Sequence, residues 1–155
     1  MIEVEEFLFF VDRALDGMAA IVTDLGDDLA NTAPPAPGAN SPYVTLTHCL
    51  GVVEFWAGHV MAGRPVARDR DAEFRAAGPV PALLSRAAAV RHQLRADLDR
   101  LDASAPPRNP LGGYGAGERP NLSQGGGLLH VLEELAQHHG QMEVGRDLLL
   151  ARAGR

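Results

Sequence analysis

His130, Glu134 and His138 follow one another at four-residue steps in the stretch HVLEELAQHHGQMEVGRD. On an α-helix each such step turns a side chain by only about 40°, so the three share one face. Imidazole and carboxylate are donors that divalent transition ions accept. Two of the three can grip one ion from successive turns, as the two histidines of an H-E-x-x-H motif do. Without such a partner the face is unfavourable to bury.

A further donor lies far upstream. His48 sits in TLTHCLGVVEFW. A histidine among apolar residues is ordinarily a satisfied, partly buried side chain, but beside a His/Glu row it becomes a candidate ligand. One His from one helix, with a Glu and a His from another, makes three protein ligands. The fourth position is left to water or substrate, the arrangement of catalytic rather than structural zinc.

The remaining candidates are read by geometry. His59 is eleven residues beyond His48, about 16 Å along a helix, and cannot reach the same ion. It reads as structural or surface-facing. His139 points about 100° from His138, towards solvent or a neighbouring helix. His92, between Arg91 and Gln93, reads as solvated, and Cys49 reads as a packing thiol. Glu133 reads as a surface or supporting residue. The RDRD run from Arg68 to Asp71 reads as a solvated, self-paired charge run, with a place at a pocket mouth as the alternative.

Helices must position these groups. Phe7, Val11, Leu15, Met18, Val22 and Leu25 recur at steps of three and four, predicting a helix from Val4 to about Asn31. Prolines between Pro34 and Pro37 stop it, and Asn40, Ser41 and Pro42 offer capping and first-turn residues for the next. That second helix runs from about Tyr43 to Ala62, with Leu46, Leu50, Val53, Trp56 and Val60 as its stripe. A polar crossover with room for a short turn follows. Pro79 and Pro81 start a third helix reaching about Leu101. A loop rich in Gly and Pro leads to a fourth, from about Gly127 to Ala151. No strand alternation or internal repeat is present. Four such helices pack as an all-α bundle, here one domain over residues 1–155.

Composition excludes several function classes. The 155 residues carry a net charge of −6, with no basic cluster for nucleic acid. No apolar run is long enough for a bilayer. The N-terminus MIEVEEFLFF is acidic, unlike a signal peptide. A single cysteine points to a reducing compartment, hence a cytoplasmic location.

At these residues the chain resembles the DinB/YfiT-like superfamily of metalloenzymes, over nearly its whole length. The resemblance implies a four-helix bundle of up-down-down-up topology with a histidine early in the second helix, here THCLGVVEFW. The last helix in that superfamily often reads H-x-x-x-H-x-x-x-H-R-G-Q. In HVLEELAQHHGQ, His138, Gly140 and Gln141 match and Glu134 replaces the middle histidine. That substitution is similar to the mycothiol-dependent branch, which includes maleylpyruvate isomerase and mycothiol S-transferases, with H-x-x-E-E-x-A-x-H-x-G-H. Gln141 stands where that branch usually carries His. AGRPVARDRDAEFRAAG is also similar to the segment after the branch's second helix.

What the resemblance implies is a metal held by His48, Glu134 and His138. Zn²⁺ is the foremost candidate, and Ni²⁺ and Fe²⁺ accept the same donors. The implied activity is a thiol S-transferase, in which a low-molecular-weight thiol of the mycothiol type attacks a small electrophile. The isomerases of this branch carry an additional C-terminal domain that these 155 residues do not hold, so isomerase activity is not expected. His130 becomes a supporting residue or proton shuttle, or else merely a histidine beside a Gly125–Gly127 hinge. Gln141 could orient a ligand. Arg146 could meet a carboxylate of the thiol, although an i, i+3 pair with Glu143 is favoured. Tyr114 could close over the site. A homodimer is expected by analogy. The rival readings are a non-catalytic, stress-linked metal-binding bundle and a plain helical dimerisation module.

Overall fold

The computed structural model describes residues 3–99, 101–110 and 122–154. Among these the helices are α1 (Val4–Ala30), α2 (Pro42–Val53), α3 (Arg70–Glu73), α4 (Val80–Leu98) and α5 (Gln124–Arg152), with no strand. α2 continues directly into a π-helical stretch, Glu54–Met61. No helix of the described residues is long and apolar enough to cross a membrane.

Each long helix follows its apolar pattern. All six stripe residues of α1 named above are buried, as are the five predicted for α2 and its extension. Burying such side chains contributes about 1.5–3 kcal/mol each, so these stripes fix which faces meet. Ser41 caps α2 by accepting from the Val44 N–H at 3.2 Å, with Pro42 in the first turn. Ser123 caps α5 in the same way through the Gly126 N–H. α5 therefore starts ahead of the glycine run, and Gly125–Gly127 is the first turn of a helix rather than a hinge. A Cβ on Gly127 would lie 2.0 Å from Met61 Cε, so the run serves close packing against the end of α2.

Contacts between helices give their directions. Asp12 near the start of α1 pairs with Arg91 and Arg95 late in α4, while Asp27 at its end accepts from the Val80 N–H. α1 and α4 are therefore antiparallel. Glu54 pairs with Arg86, and Arg64 with Asp97, so α2 runs parallel to α4. His48 faces His138 and Trp56 faces His130, so α5 runs antiparallel to α2. The order is up-down-down-up.

Two departures from regular α-helix stand out. α1 breaks at Gly26, whose φ of 66° is a conformation that glycine tolerates. The turn beyond it is tied to the start of α4: Asn31 donates to the Gly78 carbonyl at 2.9 Å and accepts from the Gly78 N–H at 3.0 Å. The second departure is the π stretch, where the Ala62 N–H reaches back five residues to Ala57. The Arg108 and Asn109 amides close this end by donating to the Val60 carbonyl. At the start of α5, Gln124 ties down residues that follow α4: its Nε2 donates to the Pro106 carbonyl at 2.8 Å and its Oε1 accepts from the Asp102 N–H at 3.1 Å.

Candidate metal centre

All twelve residues of α2 are buried, because it packs on α1, α4 and α5 at once. His48 therefore enters the interior, and a buried imidazole needs hydrogen-bond partners. Its Nδ1 meets Glu73 Oε2 at 2.9 Å. Glu73 ends the single turn of α3, which Asp69 caps by accepting from the Ala72 N–H at 2.9 Å.

Glu73 is itself buried. Burial alone would raise its pKa, but hydrogen bonds from Arg68 and His48 outweigh that and hold it below the usual carboxylate range. Arg68 supplies Nε to Oε1 at 2.7 Å and Nη2 to Oε2 at 2.8 Å. An ionised carboxylate only accepts, so His48 carries its proton on Nδ1 and turns the Nε2 lone pair inward.

That Nε2 points at α5. It lies 3.7 Å from Glu134 Oε2, and His138 Nε2 lies 3.5 Å from the same oxygen. Gln141 Oε1 accepts from His138 Nδ1 at 2.9 Å, which likewise leaves Nε2 facing the cluster. The donor atoms of His48, Glu134 and His138 all lie within 4.8 Å of one another. A tetrahedral zinc ion with bonds of about 2.0–2.2 Å sets its ligand atoms roughly 3.3–3.5 Å apart. The donor types and the two tautomers fit such an ion, and the 3.5 and 3.7 Å separations from Glu134 lie within a few tenths of an ångström of that spacing.

The electrostatics are those of a cation site. The hydrogen bond from His138 holds Glu134 far below the usual carboxylate range, against the effect of burial. The hydrogen bond to Glu134 raises His138, and Gln141 adds to that. In the absence of an ion, a proton on His138 thus takes part of a metal's place. The side chains of Glu134 and His138 are 28% and 27% exposed, against 7% for His48, so the centre opens on the α5 side.

Not every candidate enters the cluster. His130 stands one turn away with its ring 4.5 Å from Trp56 and its Nδ1 3.4 Å from Glu133 Oε2. Its charge still helps to lower Glu134. His59 is structural, its Nδ1 3.0 Å from the Arg64 carbonyl oxygen and its ring stacked on Phe55. His139 turns towards α1, where it fills the space a side chain on Gly17 would need. His92 is exposed. Cys49 is fully buried, and burial, with the charges of Glu134 and Glu73, pushes its thiol far above the ordinary range, as suits a packing thiol.

Two readings are corrected. Arg146 bonds Asp147 at 2.9 and 2.7 Å rather than Glu143, because on an exposed face its long side chain can fold onto the adjacent carboxylate. In the Arg68–Asp71 run Asp69, Arg70 and Asp71 are exposed, but the run is not self-paired, and Arg68 and Asp69 line a surface pocket with Glu73. Arg68 is held against Glu73, Asp69 caps α3, and the Arg70 guanidinium lies 4.9 Å over the Phe74 ring. Tyr114 lies outside the described residues. Glu73 and Phe74, whose ring sits 4.9 Å from His48, are the site residues that sequence reasoning missed, while Arg68 was read only as part of the charge run. The one available signal was Phe74, the lone aromatic of a charged crossover, beside Glu73.

Residues 11–142 match the profile of the DinB superfamily. A similar solved structure is a conserved protein from Enterococcus faecalis. It is 15% identical, with a TM-score of 0.72, over 97% of this chain and 99% of that chain, a likeness that shows the fold. No curated protein matches the chain.

Proposed function

This chain belongs to the DinB superfamily, and from that premise we propose that it is a metal-dependent thiol S-transferase. The ion, Zn²⁺ foremost, is held by His48, Glu134 and His138. One observation carries the reading: three convergent donors whose two imidazoles are both locked with Nε2 inward, on a face partly open to solvent. Structural zinc sites close with four protein ligands, whereas three leave a position for a small molecule.

A divalent ion there would supply Lewis acidity that holds an incoming thiol as its thiolate at neutral pH. The protein's own groups do the rest. Glu134 and the two histidines fix the donor face. His130, beside Glu134 and partly exposed, is placed to pass the thiol proton to solvent. In the overall reaction the S–H bond breaks, a sulfur–carbon bond forms, and the electrophile's leaving group departs with its electron pair. Cys49 has no part in it. A low-molecular-weight thiol of the mycothiol type is the proposed cosubstrate, and a homodimer in a reducing cytosol is the proposed setting.

The test is metal content followed by turnover. Protein purified without a histidine tag should carry about one divalent ion per chain. It should conjugate one of mycothiol, bacillithiol or glutathione to a chlorodinitrobenzene faster than buffer does. Absence of stoichiometric metal under reloading sinks the reading. Metal without conjugation with any of the three thiols leaves a non-catalytic metal-binding bundle.

A further inference from the structure

We infer that Glu73 is the positioning residue of the metal centre, and that the Arg68–Glu73 pair makes His48 its fixed ligand. The inference rests on the metal reading above and goes beyond the three ligands. The two imidazoles are backed differently. Behind His48 Nδ1 stands a charged carboxylate at 2.9 Å, and behind His138 Nδ1 a neutral amide oxygen at 2.9 Å. A carboxylate partner fixes the ring and also raises the basicity of the far nitrogen, while an amide chiefly fixes the ring.

The surroundings of Glu73 are built around its carboxylate. Two hydrogen bonds from Arg68 hold both oxygens, and the side chains of Arg68 and Glu73 are 5% and 7% exposed. Gly51 of α2 provides the seat: a Cβ there would fall 2.0 Å from Glu73 Oε1. Phe74, the next residue, lies against the His48 ring. One short turn of chain therefore supplies both the edge contact and the face contact that hold this imidazole. α3 has only four residues, and its buried acid faces the candidate ligand on α2.

The experiment compares Glu73→Gln, Gln141→Leu and the double variant Glu73→Gln/Gln141→Glu in the full chain. Zn²⁺ affinity is measured by competition with a chelating dye, and the Co²⁺-substituted protein gives a visible absorption spectrum. Glu73→Gln should weaken Zn²⁺ binding by about 10–100-fold and shift the Co²⁺ band. Gln141→Leu should cost clearly less, and Gln141→Glu should restore part of the loss. In the metal-free protein, imidazole nitrogen–proton correlations should show His48 in its Nδ1–H form, and Glu73→Leu should populate the other tautomer. Binding by Glu73→Gln within twofold of wild type with an unchanged Co²⁺ band overturns the inference alone. Wild-type protein that binds no Zn²⁺ overturns it together with the metal reading. Should Glu73→Gln fail to fold, Glu73→Asp keeps the charge but withdraws it, and a weakened site with a shifted Co²⁺ band is again expected. An unchanged Glu73→Asp site overturns the inference.

Discussion

Arg64 grips Asp97 through Nε and Nη2 at 3.0–3.2 Å, joining the end of the π stretch to the last turn of α4. Gly58 makes room for the guanidinium, since a Cβ there would lie 2.3 Å from Arg64 Nη2. Asp97 is buried, and its other side-chain partner is Gln93 at 3.0 Å. Removing one partner of a buried pair strands the other charge. Arg64→Met should therefore cost about 2–4 kcal/mol, below the fully buried case because Arg64 is 29% exposed. Urea unfolding measures it, and Arg64→Met/Asp97→Leu should recover most of the loss. A single-variant loss near that of a surface pair would show that the carboxylate is better hydrated than its burial implies.

The histidines of α5 should separate cleanly. His138→Ala removes a donor from the cluster, and Zn²⁺ affinity should fall by at least about a hundredfold, as for loss of one of three ligands. His130→Ala removes a ring packed on Trp56 and should leave Zn²⁺ stoichiometry unchanged. Metal analysis after dialysis against a weak chelator distinguishes them. Equal loss in both variants would contradict the ligand set.

Protons and metal should compete at His138. In the metal-free protein Glu134 is lowered, so its contribution to stability is present above the ordinary carboxylate range and is lost as pH falls through the folded value. His138 is raised, so its contribution is complete below the ordinary imidazole value of 6.5 and is lost as pH rises through its higher folded value. Chelator-treated protein should therefore be most stable between pH of about 5 and 6.5. Metal needs Nε2 free of its proton, so Zn²⁺ affinity should climb by up to about tenfold per pH unit between roughly 6 and 7. A flat Zn²⁺ titration across that range would remove His138 from the site.

Gly51→Ala offers a steric probe. An alanine suits a helix interior by about 1 kcal/mol in propensity, yet its methyl group would occupy the space of Glu73 Oε1. The variant should keep its helical circular dichroism and bind Zn²⁺ less tightly than wild type. Unchanged affinity would mean that Glu73 can shift without disturbing His48.

Much of the bundle was legible because its helices obey one rule, apolar residues at steps of three and four, with Pro34–Pro37 and Ser41 marking the boundaries. Glu134 and His138 were legible for the same reason, since a helical repeat puts them on one face. Glu73 was not. It stands 25 residues from His48 in a crossover whose charges read as solvated, and only tertiary packing buries it. The π stretch was equally hidden: Trp56 and Val60 fit an α stripe, and one extra residue per turn leaves no mark on an apolar run. Arg146 shows the reverse error, in which a favoured spacing on a solvated face lost to a nearer neighbour.

The break at Gly26 divides α1 mechanically. Residues beyond it no longer continue the hydrogen-bond ladder of the long helix, and Asp27 and Asn31 fasten them to Val80 and Gly78 instead. In amide exchange, the Asp27–Asn31 turn and the head of α4 should open as one unit, at a lower free energy than the ladder from Phe7 to Leu25. The fold thus carries a clasp whose release would free the entry to α4 while leaving the His48–Glu134–His138 seam between α2 and α5 closed.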